Sequence, residues 1–293
     1  MGAFYYSTIW FFVMRQYLQC GRFGYDLSKR PLVMGILNVT PDSFSDGGRY
    51  QALEFAVERA EQMIKDGVDI IDIGGESTRP GSPSVPVDEE LRRVMPAIYA
   101  LRELGYPLSI DTCKPEVMRE AVIAGVDMIN DVNGFRAQGA IEAVKDSDCA
   151  LCVMHMQGTP QDMQANPAYG DVVADVIGFL RERVEALLAA GVAHERVTID
   201  PGFGFGKSVE HNYALLRNIS RMESDLGLPV LAGLSRKSMI GAVTGRSVEQ
   251  RLAGSLGGAL AAVAQGARII RVHDVAETVD ALKVWQAATT NNQ

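Results

Sequence analysis

Eight short, almost continuously apolar runs recur along this chain, each followed by a stretch long enough for a helix. That alternation restricts the fold more than any other feature. The runs are Val33–Asn38, Ile70–Gly74, Leu108–Asp111, Met128–Asp131, Ala150–Met154, Val197–Asp200, Val230–Gly233 and Arg268–Val272. Runs without polar alternation are expected of parallel strands covered on both faces.

The intervening segments have helical periodicity. Ala52–Lys65 places Phe55, Ala56, Ala60, Met63 and Ile64 on one stripe. Asp88 is expected to cap a helix running to Leu104. Pro115 falls near the first turn of the next, where its missing N–H costs nothing. Asp171–Ala190, Ser247–Gln265 and Val275–Ala288 complete the series. Gly67, Gly105, Gly125, Gly191 and Gly266 follow helices as C-terminal stops. Eight strand–helix units over about 255 residues match a (β/α)₈ barrel in size. A doubly wound sheet would more often carry a glycine-rich dinucleotide loop after its first strand, and none stands there. Residues 20–32, with Gly21, Gly24 and Pro31, are expected to form a hairpin closing the barrel bottom.

The chain has 293 residues, enough for one such domain, expected over 14–293. Residues 1–13 read as an apolar extension of uncertain status, too short to span a bilayer. They lack a basic region and a cleavage site for a signal peptide. An upstream start codon, with Met14 beginning the natural chain, is one reading, and a peripheral anchor is the other. A net charge of −8 and the absence of a Lys/Arg-dense run argue against a nucleic-acid surface. The four cysteines show no disulfide spacing and suit reduced thiols in a cytoplasmic enzyme.

Polar residues collect where the apolar runs end. Asn38, Asp72, Asp111, Asn130, Asp131 and Asp200 lie at the ends of five runs, and Ser235–Ser238, Arg271 and His273 lie at the last two strands. Any single Asp or Asn there could merely make a turn or cap a helix. Together they point to the C-terminal rim, where barrel enzymes keep their chemistry, and suit a polar heterocycle bearing an anion. Arg271 and His273 alternate and so face one side. An external salt bridge is an equal reading for Arg236.

Three further patterns are set aside. Cys149 and Cys152 have CxxC spacing, but positions i and i+3 of a strand face opposite ways, so buried structural thiols are expected. Gly202–Ser208 resembles a phosphate loop but has Pro201 where glycine is needed. It reads instead as a flexible loop with Phe203 or Phe205 available to pack on a flat ligand. His155 and His273 have no partner at metal-ligand spacing.

Two long segments carry a specific likeness. Met34-Gly35-Ile36-Leu37-Asn38-Val39-Thr40-Pro41-Asp42-Ser43-Phe44-Ser45-Asp46-Gly47-Gly48 resembles the first signature of the dihydropteroate synthases. Ile71-Asp72-Ile73-Gly74-Gly75-Glu76-Ser77-Thr78-Arg79-Pro80-Gly81 resembles the second, with shorter matching blocks through to Arg271-Val272-His273-Asp274. The resemblance implies a (β/α)₈ enzyme of folate synthesis, a sulfonamide target. It joins 6-hydroxymethyl-7,8-dihydropterin pyrophosphate to p-aminobenzoate with Mg²⁺ assisting.

It further implies that Asp111, Asn130, Asp200, Lys237 and Arg271 hold the pterin, and that Asn38, Arg79, Arg271 and His273 meet pyrophosphate. Asn38 would also ligate Mg²⁺, and Asp46 could approach it. Phe44, Thr78, Pro80, Phe205 and Ser238 would frame aminobenzoate. The chemistry would fall to Asn38, Asp111, Lys237, Arg271 and His273, in a dissociative substitution that needs no general base. A homodimer and no membrane association are implied as well. The alternatives are a pterin-binding paralogue without catalysis and a barrel that moves methyl groups from a folate to a corrinoid.

Overall fold

The computed structural model describes residues 17–40, 49–77, 81–165 and 167–289. A short antiparallel hairpin, β1 (Tyr17–Cys20) and β2 (Phe23–Asp26), precedes the barrel. The barrel strands are β3 (Leu32–Asn38), β4 (Ile70–Gly74), β5 (Leu108–Asp111), β6 (Met128–Asp131), β7 (Ala150–Met154), β8 (Val197–Asp200), β9 (Leu231–Ala232) and β10 (Ile269–Val272). They pair in parallel in the order β8-β7-β6-β5-β4-β3-β10-β9. A bridge between Ile199 and Val230 joins the two outer strands and closes the cylinder.

The Val230–Gly233 run forms only two ladder residues, β9. Val230 lies outside it, pairing with Ile199 while its carbonyl accepts from Arg268 and Ile269. The run is spent on closure rather than on a long strand.

Alternation within each strand divides the molecule into two cores. One parity faces the helices: Val33, Leu37, Ile71, Ile73, Ile110, Ile129, Leu151, Val153, Ile199, Ile270 and Val272 belong to the large outer core. The other parity faces the barrel axis. Its lower tier is apolar, with Leu32, Met34, Ile70, Met128, Ala150, Cys152, Leu231 and Ile269 packed on Leu18, Cys20 and Leu27. The hairpin therefore plugs the N-terminal end as expected, but its strands span Tyr17–Cys20 and Phe23–Asp26 rather than residues 20–32. Buried Asp127 fastens it, accepting from the backbone N–H and the guanidinium of Arg22 and from Leu108 N. Cys149 lies in the outer core and Cys152 in the inner one, which separates the two thiols of the CxxC pattern.

Pro115 opens the helix Pro115–Ala124, and Asp171 caps Val172–Ala189 by accepting from Val173 and Ala174. Gly67, Gly105, Gly125, Gly191 and Gly266 all have positive φ, the conformation a helix-terminating glycine supplies.

Three sequence expectations are corrected. The helix Val87–Arg102 is preceded by Pro86 at the cap position, and Asp88 lies in its first turn instead. Phe55 is 53% exposed, because it stands one residue, a 100° step, from the buried stripe of Ala56, Ala60 and Met63. The expected helix Ser247–Gln265 begins only at Leu252, after a 3₁₀ turn at Val248–Gln250. Arg251 stands at its cap position, its guanidinium donating to the carbonyls of Arg236 and Arg246. Among the described residues no helix is long and apolar enough to cross a membrane.

Candidate active site

The axis-facing positions turn polar toward the C-terminal rim. Directly above Ile70, Met128 and Ile269 in chain parity come Asp72, Asn130 and Arg271, with Asp111 on β5 and Asp200 at the end of β8. Parallel strands put all their C-termini at one end, so these side chains converge.

Arg271 is the hub. Its Nε donates to Asp72 Oδ2 at 2.7 Å and its Nη2 to Asp111 Oδ2 at 2.8 Å. Burial by itself works against its charge, but the two carboxylates outweigh this and hold its pKa above the usual arginine value. Asn130 Nδ2 donates more weakly to Asp72 Oδ2, at 3.4 Å. The Oδ1 atoms of Asp72, Asp111 and Asn130 are buried and have no hydrogen-bond partner among the described residues. Burial pushes the Asp111 carboxyl up. Arg271 opposes that shift and Asp72 adds to it.

Asp200 accepts from Gly202 N at 2.7 Å, the turn that starts the loop after β8. Its pKa is raised by burial, against the pull of Lys237. Lys237 donates to the Phe203 carbonyl and lies 4.7 Å from the centre of the Phe205 ring, a cation–π distance. Burial brings its ammonium down to about 8, a shift that Asp200 resists and Arg271 reinforces. The site thus sets Asp72, Asp111 and Asp200 against Arg271 and Lys237 in a partly dehydrated cup. Such a cup can read the N–H and C=O edge of a flat heterocycle.

The remaining expected residues that are described, Asn38, His273, Ser238 and Phe205, sit around this cup. Asn38 ends β3 and pairs in register with Gly74, where an added Cβ would lie 3.4 Å from its Oδ1, in ordinary contact. His273 follows β10, its ring Nδ1 3.0 Å from Ser235 Oγ, which also accepts from its backbone N–H. Ser238 is exposed and opens the helix Ser238–Thr244. Phe205 packs on the cluster of Val132, Met154, Met156 and Met163. Phe44, Thr78, Arg79, Pro80 and Asp46 lie outside the described residues.

Some rim residues take the plainer roles. Asp131 has the outward parity and accepts from Asn133 N and Phe135 N, both at 2.7 Å, so it builds a turn. Arg236 pairs with Asp274 at the surface. Phe203 is fully buried in the outer core and cannot meet a ligand.

Nor is the loop after β8 loosely held. Every carbonyl from Gly202 to Gly206 accepts a hydrogen bond: from Phe205 N, Lys237, Gln164, Lys207 and Tyr169 in turn. Two residues of the site were not singled out by sequence reasoning. Asp72 was read only as a strand end. The signal was available in its parity, two residues beyond the axis-facing Ile70. Lys207 is 3% exposed, and its burial has no signature in the sequence.

The family model described as pterin binding enzyme matches residues 34–273. The dihydropteroate synthase of Haemophilus influenzae is 53% identical over 258 residues, 88% of this chain and 94% of that one. Among solved structures, a Burkholderia cenocepacia dihydropteroate synthase complexed with 7,8-dihydropteroate is 56% identical. It superposes with a TM-score of 0.85 and covers 93% of this chain and 96% of its own. A Xanthomonas albilineans dihydropteroate synthase with 4-aminobenzoic acid is 53% identical, with a TM-score of 0.88 and coverages of 94% and 98%. A likeness of this depth, running through both signatures and all eight strands, places the chain in the dihydropteroate synthase family of pterin binding enzymes.

Proposed function

We propose that this transferase condenses 6-hydroxymethyl-7,8-dihydropterin pyrophosphate with p-aminobenzoate to give 7,8-dihydropteroate and pyrophosphate. One observation carries the reading. Buried oxygens of Asp72, Asp111 and Asn130 stand without partners among the described residues, in the same cup as Asp200, Arg271 and Lys237. Unpaired buried oxygens are costly, and a ligand rich in N–H donors would relieve them. The dihydropteroate and 4-aminobenzoic acid bound by the two relatives support the same chemistry.

In this reading Asp111, Asn130 and Asp200 accept from the pterin edge, and Lys237 donates to its ring carbonyl. The Arg271 guanidinium stacks on the pterin face while donating toward phosphate. His273, Arg271, Asn38 and Arg79 meet the pyrophosphate. Phe205, Ser238, Thr78, Pro80 and Phe44 frame the aminobenzoate. The bond from the exocyclic carbon to pyrophosphate breaks first, and the electron-rich dihydropterin spreads the positive charge. Asp111 counters that charge from the ring side, while Arg271, His273 and Arg79 stabilise the leaving group. The neutral aryl amine then attacks and loses its proton afterwards, so no general base is needed.

Mg²⁺ fits the donor set. Asn38 offers one hard amide oxygen beside Gly74, and no cluster of three His, Cys, Asp or Glu among the described residues could hold a metal alone. An ion here would take its other ligands from phosphate and water, and when bound it would offset charge on the pyrophosphate.

The test is direct. Purified protein with both substrates and Mg²⁺ is expected to form dihydropteroate. No product at saturation would reject the reading. Lys237→Met should weaken pterin pyrophosphate binding about 10–100-fold, the worth of a hydrogen bond to a charged group, measured by calorimetry.

Two further readings belong with this function. The cysteines are free thiols, in keeping with a cytoplasmic enzyme. A homodimer is supported by an apolar face: Val243, Val248 and Leu252 are exposed, and Leu252–Ala264 is nearly all apolar yet buries few of its residues. Light scattering should give twice the chain mass, and Val243→Glu should halve it.

A further inference from the structure

Lys207 is buried beneath the rim and, among the described residues, makes no ion pair. An unpaired buried ammonium is expensive, and burial brings its pKa down to about 7, so hydrogen bonds rather than an ion pair must fix the amine in place. Its Nζ meets three acceptors, all of which the ammonium can serve and two of which the neutral amine can serve. They are His155 Nδ1 at 2.9 Å, the Phe205 carbonyl at 2.9 Å and the His155 carbonyl at 3.3 Å. Two belong to the segment leaving β7 and one to the loop leaving β8, so one side chain staples the two rim segments together.

The surroundings agree with this role. Burial brings the His155 imidazole down to about 3, with Lys207 adding to the shift, so the ring is neutral at pH 7 and its Nδ1 lone pair can accept. His155 is itself wedged edge-on against Phe179, with ring centroids 4.9 Å apart. Gly202 and Gly206 have positive φ, and a Cβ on Gly202 would collide with the His155 carbonyl that Lys207 binds. The backbone is thus folded closely around the ammonium. The fixed Phe205 carbonyl leaves its ring on the rim, over Lys237 and against the methionine cluster.

We propose that Lys207 is a positioning residue: by bonding the Phe205 carbonyl and His155 at once, it sets the Phe205 ring as the wall on which the aryl amine substrate lies, without touching that substrate. The proposal rests on the reading of Phe205 as part of the aminobenzoate site. It makes Lys207 a determinant of amine recognition rather than of pterin capture.

Steady-state kinetics of the full chain test it with Lys207→Met, which keeps the length but removes the charge and the donors, Phe205→Ala, and the double variant. Lys207→Met should raise KM for p-aminobenzoate about tenfold while KM for pterin pyrophosphate moves less than about threefold. Phe205→Ala should raise the aminobenzoate KM as well, and the double variant should be no worse than Phe205→Ala, the signature of one acting through the other. Multiplicative effects would overturn the proposal. So would an equal rise in both KM values, which marks general loss of structure. If Phe205→Ala raises the aminobenzoate KM and Lys207→Met does not, the staple is wrong. If Phe205→Ala leaves it unchanged, the reading of Phe205 is wrong and the proposal falls with it. Should Lys207→Met not accumulate as folded protein, Lys207→Gln, which keeps a donor, takes its place with the same pattern at smaller amplitude.

Discussion

Arg271 binds two carboxylates through different nitrogens, and this fixes both the plane of its guanidinium and the identity of its free edge. Asp72 is the deeper anchor, fully buried and unable to reach solvent. Its role follows from where its charge goes: one oxygen serves Arg271 and Asn130, and the other has no partner among the described residues. Asp72→Asn keeps the shape and removes the charge. Two consequences share a sign. Asp111 loses a like charge that raises its pKa, and Arg271 becomes more fully its own partner. The Asp111 titration should therefore move down. With a charge-assisted hydrogen bond lost, kcat/KM for pterin pyrophosphate should fall by about 10–100-fold. The acid limb of the pH profile reads the first effect and the rate the second. An unmoved limb with full activity would remove Asp72 from the site.

At the scale of elements, the loop after β8 shows why a glycine-rich stretch need not be mobile. Gly202 has φ +70°, and any side chain there would strike the His155 carbonyl. Gly202→Ala combines left-handed strain with a backbone clash, so a loss above about 2 kcal/mol is expected. Gly178, inside Val172–Ala189 with nothing within 4 Å of its absent Cβ, is the control. Gly178→Ala should gain up to about 1 kcal/mol from helix propensity alone. Chemical denaturation of both variants checks the contrast.

The same loop marks the limit of the sequence. Strands β4 to β8 stand where their apolar runs stand, because a strand buried on both faces must be apolar throughout. The rim of Asn38, Asp111, Asn130, Asp200, Lys237 and Arg271 was legible because parallel strands send all their ends one way. What was not legible depends on contacts distant in sequence. Phe203 and Phe205 look equivalent, yet one points into the outer core and the other to the rim. Arg251 stands at the cap of a helix shorter than its sequence pattern, tied by its guanidinium to carbonyls at Arg236 and Arg246. Lys207 stands in what reads as a failed phosphate loop, and only the fold brings His155 to it.

For the molecule as a whole, Lys207 sets functional placement against stability, and the conflict has a sign that can be measured. Burial lowers its pKa to about 7, with Asp200 opposing and Lys237 reinforcing, whereas an unfolded lysine titrates near 10.4. His155, the other titratable group in contact with it, is neutral throughout this range. Between these two values the unfolded chain binds the proton and the folded chain does not. This group's contribution to stability therefore rises with pH, by up to about 1.4 kcal/mol per unit, and falls away as pH drops to 7. Lys207→Met has no such proton to bind. The stability of the natural chain minus that of the variant should climb steadily from pH 7 to pH 10 in paired urea titrations at fixed ionic strength. The paired difference cancels the cysteines, tyrosines and exposed carboxylates that titrate in both proteins. A flat difference would mean that the ammonium is already as well solvated inside the fold as in water, and that the staple costs the protein nothing.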